Sequence, residues 1–187
     1  MKQYQEIPYY GDYWGLPIIA FDKLDGSNLR FEWSRKRGFY KFGTKNVMID
    51  NNSEPFGFAV DLFLQKYADG LDFVFKSKLY RNAQSFVCFA ELVGEKSEFG
   101  QHNFENDTFD IVLFDVNVHK KGFVAPKQFI NDFGHLGIPE VIYQGNLNKQ
   151  LVFDIKNNTV LKEGVICKGI PPKGNQLYYC KIKCYSW

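Results

Sequence analysis

The segment Lys23-Leu24-Asp25-Gly26-Ser27-Asn28 follows directly on the apolar run Ile18-Ile19-Ala20-Phe21 and Asp22. A lysine at the end of such a run can sit at a pocket wall, where its amine becomes a covalent nucleophile if the surroundings keep it deprotonated. Lys-x-Asp-Gly is also an ordinary strand-end turn, so its meaning depends on what else the chain carries. Four further segments supply matching chemistry. Phe89-Ala90-Glu91 sets a carboxylate inside an apolar run, and Phe109-Asp110-Ile111-Val112-Leu113-Phe114-Asp115 places Phe114 beside an acid. Glu163-Gly164-Val165-Ile166-Cys167-Lys168 opens on a carboxylate and closes on a lysine, and Lys181-Ile182-Lys183 lies near the C-terminus. With a period of two, Lys181 and Lys183 share one strand face while Cys180, Ile182 and Cys184 share the other. Neighbouring lysines repel, and a bound polyanion relieves that repulsion. Each segment has a plainer reading, such as an edge-strand charge device, a solvated strand end or a core aromatic.

The elements that must position these residues are mostly strands. Strand-like runs cover Leu16–Phe21, Leu29–Trp33, Ser85–Leu92, Phe109–Val116, Gly164–Lys168 and Leu177–Tyr185. One helix is expected to start near Ser53 as its cap, with Pro55 in the first turn and Phe58, Leu62 and Tyr67 behind it. A second is expected from Pro126 to Gly134, with Phe129, Ile130 and Phe133 facing inward. Many strands with few, scattered helices read as α+β with mostly antiparallel sheets. Strict alternation puts Glu163 and Lys168 on opposite faces of their strand, so a bulge near Gly164 is expected if both serve one site. Lys96 to Asp107, rich in Glu, Asn and Gly, reads as the longest polar linker.

The chain has 187 residues, 45% of them hydrophobic and 18% aromatic, which supplies a substantial core and argues against global disorder. With 19 Phe and 11 Tyr it favours sheet over helix bundle. A net charge of +2 does not by itself argue for nucleic-acid binding. The dense basic runs are Ser34-Arg35-Lys36-Arg37 and His119-Lys120-Lys121, which also read as solvated turns. Cys88, Cys167, Cys180 and Cys184 include no Cys-x-x-Cys pair and no zinc spacing, so they are expected to be reduced, in a cytoplasmic protein. No signal core or membrane span is apparent, and neither G-x-x-x-x-G-K-[ST] nor G-x-G-x-x-G occurs. Side chains must therefore hold any bound phosphates.

Taken in order, the five segments resemble the motifs of the covalent nucleotidyltransferases, the superfamily of ATP-dependent DNA ligases, RNA ligases and capping enzymes. Lys23-x-Asp25-Gly26 resembles motif I, Phe89-Ala90-Glu91 motif III, and Phe109–Asp115 the motif between III and IV. Glu163-Gly164-Val165-Ile166-x-Lys168 resembles motif IV, and Lys181-x-Lys183 motif V. Within the superfamily the chain looks most like the double-strand-repair branch of RNA ligases. DNA ligases and capping enzymes typically carry an arginine five residues after the nucleophile, where this chain has Asn28. Arg30 lies two residues too far on. The segment Gly43 to Lys45 is also similar, except that Lys45 stands where that branch usually has arginine, a point charge in place of a planar fork.

The resemblance implies an adenylyltransferase domain of mostly antiparallel sheets flanked by a few helices, spanning residues 1–187. No C-terminal OB or other appended domain is expected in this chain, which would make it either a minimal ligase or a fragment of a longer one. The resemblance implies that Lys23 attacks the α-phosphorus of ATP to become Lys-AMP, that Asp22 contacts the adenine amino group, and that Phe114 stacks on the adenine. Glu91 would hold the ribose and, with Asp25 and Glu163, place a magnesium ion (manganese being possible) through its waters. Asn28 would position the sugar and the RNA 3′ end. Lys168, Lys181 and Lys183 would neutralise phosphate, and Lys45 would lie near the nucleotide. The implied partner is RNA with a 5′-phosphate and a 3′-hydroxyl. A DNA ligase or GTP-using capping enzyme, and a catalytically idle nucleic-acid-binding domain, are the alternatives; Asn28 and the complete motif set argue against them.

Overall fold

The computed structural model describes residues 1–170 and 176–187. They form two antiparallel sheets with few helices, and the chain divides into two compact units. One unit comprises Met1–Tyr4, Gly26–Val124 and Phe129–Ile138; the other comprises Gln5–Asp25, Ala125–Gln128 and Pro139–Trp187. The α+β class expected from the sequence is what forms.

The larger unit is built on six strands: β2 (Ser27–Ser34), β3 (Gly38–Thr44), β4 (Met48–Ile49), β5 (Ser85–Gly94), β6 (Phe109–Val118) and β7 (Gly122–Phe123). Their order across the sheet is β4-β3-β2-β5-β6-β7. Helix α1 (Phe58–Lys76) covers one face, where Leu29, Phe31 and Trp33 alternate inward along β2. Phe31 stacks on Phe63 with ring centroids 3.6 Å apart, and Phe75 stacks on Phe86 at 3.9 Å. Trp33 donates its indole N–H to Asp72 (3.0 Å), so its one polar atom does not oppose burial of the ring.

The expected start of α1 is corrected. Ser53 bonds Asp50 within a tight turn instead of capping the helix, and Gly57 stands at the cap without a side-chain bond. Phe58 is consequently exposed and Leu62 half-buried, while the inward stripe is Ala59, Val60, Phe63, Tyr67, Leu71, Val74 and Phe75. Arg35 is a second correction. It is not a free surface cation, because its guanidinium donates to the carbonyls of Ala83, Phe75 and Tyr80 at 2.8–3.0 Å.

The smaller unit holds β1 (Pro17–Asp22), β8 (Val141–Asn146), β9 (Gly164–Gly169) and β10 (Tyr178–Lys183) in the order β10-β9-β1-β8. Helix α3 (Lys149–Lys156) packs on one face, where Ile18, Ala20, Val165, Cys167, Cys180 and Ile182 meet Leu151, Val152 and Ile155. Asn148 caps α3 by accepting from the Leu151 N–H (2.8 Å). All four cysteines are free and buried, and the hydrogen bond to Cys180, with burial, pushes the Cys167 thiol up. Helix α2 (Pro126–Phe133) has residues in both units, and its part in the larger one buries Phe129 and Phe133, with Ile130 half-buried. No helix among the described residues is long and apolar enough to cross a membrane.

Candidate active site

In the smaller unit the core face of the sheet takes the even positions of β1 and β10, so their odd positions lie on the opposite face. Register then sets Lys181 opposite Ile166, Tyr179 opposite Lys168, and Lys168 opposite Ile19. Lys23 follows the last residue of β1 and is tied to the sheet by its N–H to the Gly164 carbonyl (2.9 Å). Its ammonium lies 2.5 Å from a Glu163 oxygen, and the other Glu163 oxygen lies 3.1 Å from the Lys183 ammonium. Glu163 is 3% exposed, so one buried carboxylate is shared by two lysines.

Gly164 makes that sharing possible. Its φ of +134° breaks the strand alternation, so Glu163 turns toward the lysines instead of the core. A Cβ at Gly164 would lie 2.1 Å from the Ile182 carbonyl oxygen. The irregularity expected near Gly164 is thus realised as a glycine backbone reversal at the first residue of β9. Trp187, which the sequence did not single out, lies over Lys183 (3.1 Å from Nζ to the ring centroid) and 6.0 Å from the Lys23 Nζ. Lys181 is 4.8 Å from the Tyr9 ring. Neither aromatic stands in a recognisable sequence pattern relative to the lysines, so only folding reveals the contacts.

Asp22 has one carboxylate oxygen buried with no hydrogen-bond partner among the described residues. Desolvation and the nearby Glu140 carboxylate raise its carboxyl above the ordinary value. Such an orphan acceptor suits an N–H or O–H donor from a ligand. Lys168 is 5% exposed, lies 5.1 Å from the Phe21 ring and 5.8 Å from that of Tyr179, and lines a cavity of about 380 Å³ with Ile19, Gln144, Asn146 and Lys127. Lys23, Glu163, Lys181 and Lys183 do not line that cavity. The sheet therefore gathers Lys23, Glu163 and Lys183, while Lys168 stands further along it.

In the larger unit the sheet face opposite α1 carries Glu91 and Asn28, whose Cα atoms pair directly across β5 and β2. Phe114 falls in a register shift of β6 and shares a ring cluster with Tyr4 (5.0 Å) and Phe89 (6.5 Å). Tyr4 also donates its hydroxyl to Asp115 (2.9 Å). The Asn28 side-chain oxygen is buried without a partner among the described residues. Arg30 is spent on structure, donating to the carbonyls of Thr44, Met1 and Lys2. Asp25 is buried, whereas Lys45 is exposed in the turn after β3. Among the described residues no three His, Cys, Asp or Glu side chains converge as a metal-ligating group.

The fold thus sets a lysine held by a buried carboxylate beside a second lysine and next to Asp22, bringing the Lys23, Glu163 and Lys181-x-Lys183 segments together within one unit. A profile of the RNA ligase family matches residues 16–183. The chain belongs to the RNA ligase family. A search among curated proteins gave no match. Among solved structures, substituted forms of Naegleria gruberi RNA ligase resemble the whole chain at 14% identity, one without ligand at a TM-score of 0.70 and one with ATP and Mn at 0.71. The same ligase with PPi matches at 0.67, also at 14% identity. This RNA ligase chain spans 56–57% of the length of those structures. At that identity the likeness speaks for the fold.

Proposed function

We propose that the protein is an ATP-dependent RNA ligase of the double-strand-repair type, working through a covalent Lys23–AMP. The Lys23 amine attacks the α-phosphorus of ATP; a nitrogen–phosphorus bond forms, the bond to pyrophosphate breaks, and the amine's proton passes to the Glu163 carboxylate 2.5 Å away. AMP then passes to an RNA 5′-phosphate, and a 3′-hydroxyl displaces it to seal the strand. The observation that carries this reading is Glu163, buried and shared by the Lys23 and Lys183 ammonium groups at 2.5 and 3.1 Å. That contact holds the nucleophile at a fixed place on the sheet and keeps a second cation beside it, where negative charge develops on the phosphate in the transition state.

In this reading Lys181 adds to the cation set, Asp22 accepts from the adenine amino group, Phe114 stacks on the base, and Glu91 and Asn28 address the ribose. Lys168 and Lys45 contribute positive charge toward phosphate. Asp25, Glu91 and Glu163 offer hard oxygen donors, which suit magnesium. These three carboxylates would hold a divalent ion through its waters, and the ion would supply charge neutralisation at the phosphates.

The decisive experiment is incubation with α-labelled ATP and magnesium, followed by denaturing electrophoresis. Unmodified protein should carry a covalent label, and Lys23→Ala should carry none while keeping its circular dichroism spectrum. A labelled Lys23→Ala protein would remove Lys23 as the nucleophile.

A further inference from the structure

The polar segment between β5 and β6, which reads as a linker, contains a directional chain of hydrogen bonds that ends within the Lys23 motif. Asp107 anchors it. The Asp107 carboxylate accepts from the N–H groups of Lys96 (2.9 Å) and Thr108 (2.8 Å) and from the Ser97 hydroxyl (2.9 Å). Desolvation pushes the Asp107 carboxyl up, but these bonds outweigh it and hold the group below its ordinary value. Ser97 is 2% exposed, so its single hydroxyl proton is committed to that carboxylate.

His102 Nδ1 lies 2.7 Å from the Ser97 oxygen. With the Ser97 proton committed elsewhere, this contact assigns the hydrogen to Nδ1, and in a neutral imidazole Nε2 is then the acceptor. Nε2 lies 2.9 Å from the Ser27 hydroxyl, which donates to it. Phe104 and Phe109 flank the imidazole at 5.4 and 5.5 Å between ring centroids. The chain of donors thus runs from Ser27 to His102 to Ser97 to Asp107.

Ser27 stands immediately before Asn28. On its other side Gly26 is pressed against β5, where a Cβ would lie 2.1 Å from the Leu92 carbonyl oxygen and 3.0 Å from the Glu91 Cγ. The two residues that lead into Asn28 are therefore both fixed, Gly26 through its backbone against β5 and Ser27 through its bond to His102. Asn28 pairs with Glu91 and presents an oxygen that is buried without a hydrogen-bond partner among the described residues. An oriented acceptor beside a carboxylate is suited to sugar hydroxyl donors.

We propose that His102 is a positioning residue that, through Ser27, fixes Asn28 and Glu91 as a subsite for the ribose hydroxyls of the nucleotide. The inference rests on the ATP-dependent reading above. It extends that reading to a segment whose sequence shows only polarity, and it gives Ser27 a role distinct from filling a turn.

The test is single-turnover labelling of the full chain with ATP, 2′-deoxyATP and 3′-deoxyATP. Unmodified protein should prefer ATP over at least one deoxy analogue by on the order of tenfold or more, because a site built around a hydroxyl rejects the analogue lacking it. His102→Ala and Ser27→Ala should each remove most of that preference by slowing the ATP reaction about tenfold, with the disfavoured analogue little changed. The double variant should lose no more than either single one, since both cut the same chain. His102→Gln, with an amide oxygen available to Ser27, should recover most of the preference.

Equal slowing with ATP and with the deoxy analogues would assign His102 a purely structural role and overturn the subsite. So would an unaltered preference in both single variants. Absence of labelling of the unmodified protein by all three nucleotides would instead overturn the ligase reading on which the subsite stands.

Discussion

In the smaller unit the candidate groups are ions already set against one another: Lys23 and Lys183 share Glu163, and Trp187 lies over Lys183. In the larger unit they are mostly a ring and an amide: Phe114 within an aromatic cluster and Asn28 with an unpartnered oxygen, beside the carboxylate Glu91. On the proposed function the difference would separate two tasks. Preorganised cations would act on charge that develops during phosphoryl transfer, so their removal should lower the maximal rate. An aromatic face contributes alike in ground and transition states, so its removal should weaken nucleotide binding.

The largest test of that contrast is Lys183→Ala. It should lower single-turnover adenylylation at saturating ATP by about 2–4 kcal/mol of transition-state stabilisation, with Lys181→Ala having a similar or smaller effect. Near-normal maximal rates in both variants would reduce the pair to an edge-strand charge device. Arg35→Ala separates fold from site within the larger unit. Loss of three bonds to backbone carbonyls should destabilise the protein by about 1–3 kcal/mol in urea unfolding, while Lys36→Ala does not. Unchanged stability on Arg35→Ala would return that residue to the pool of cations available for RNA.

Phe114→Ala should raise the KM for ATP about fivefold with the maximal rate nearly kept, consistent with an aromatic contact of about 1 kcal/mol. A fall in maximal rate without a change in KM would erase the proposed division between the two sheets. The smallest effect concerns Asp22. Its carboxyl is raised in the folded state, so the ionised form costs stability above the ordinary value of 3.8. Asp22→Asn should therefore be the more stable protein at pH 7. The advantage should fade below about pH 3.8, where the carboxyl is protonated in both folded and unfolded chains. Thermal unfolding at the two pH values checks it; an advantage that persists in acid would point to packing instead of charge.

The six strand-like runs were legible because each combines apolar alternation with β-branched or aromatic residues, and each forms a strand. Gly38–Thr44 and Val141–Asn146 were missed. The first lies between β4 and β2 but is half-buried along nearly its whole length, and the second lies at a sheet edge with an exposed or half-buried pattern, so neither shows a clean period. The helix start was misplaced because Ser53 competes for a local turn, the ordinary alternative for a serine hydroxyl next to an aspartate.

By itself the sequence determined which residue types could act: a lysine after an apolar run, carboxylates at Glu91 and Glu163, a lysine pair on one face, and an asparagine five residues beyond Lys23. Alternation along a strand is a local property, so the common face of Lys181 and Lys183 could be read from spacing alone. Partnership is not local. That Glu163 serves both Lys23 and Lys183 follows from a positive φ at Gly164 and from the pairing of β9 with β10, which brings Gly164 opposite Lys183. That His102 reaches Ser27 across 75 positions of sequence follows from the fold of the segment between β5 and β6. Hydrogen bonds and ion pairs act over a few ångströms, and only tertiary structure decides which distant side chains come within that range.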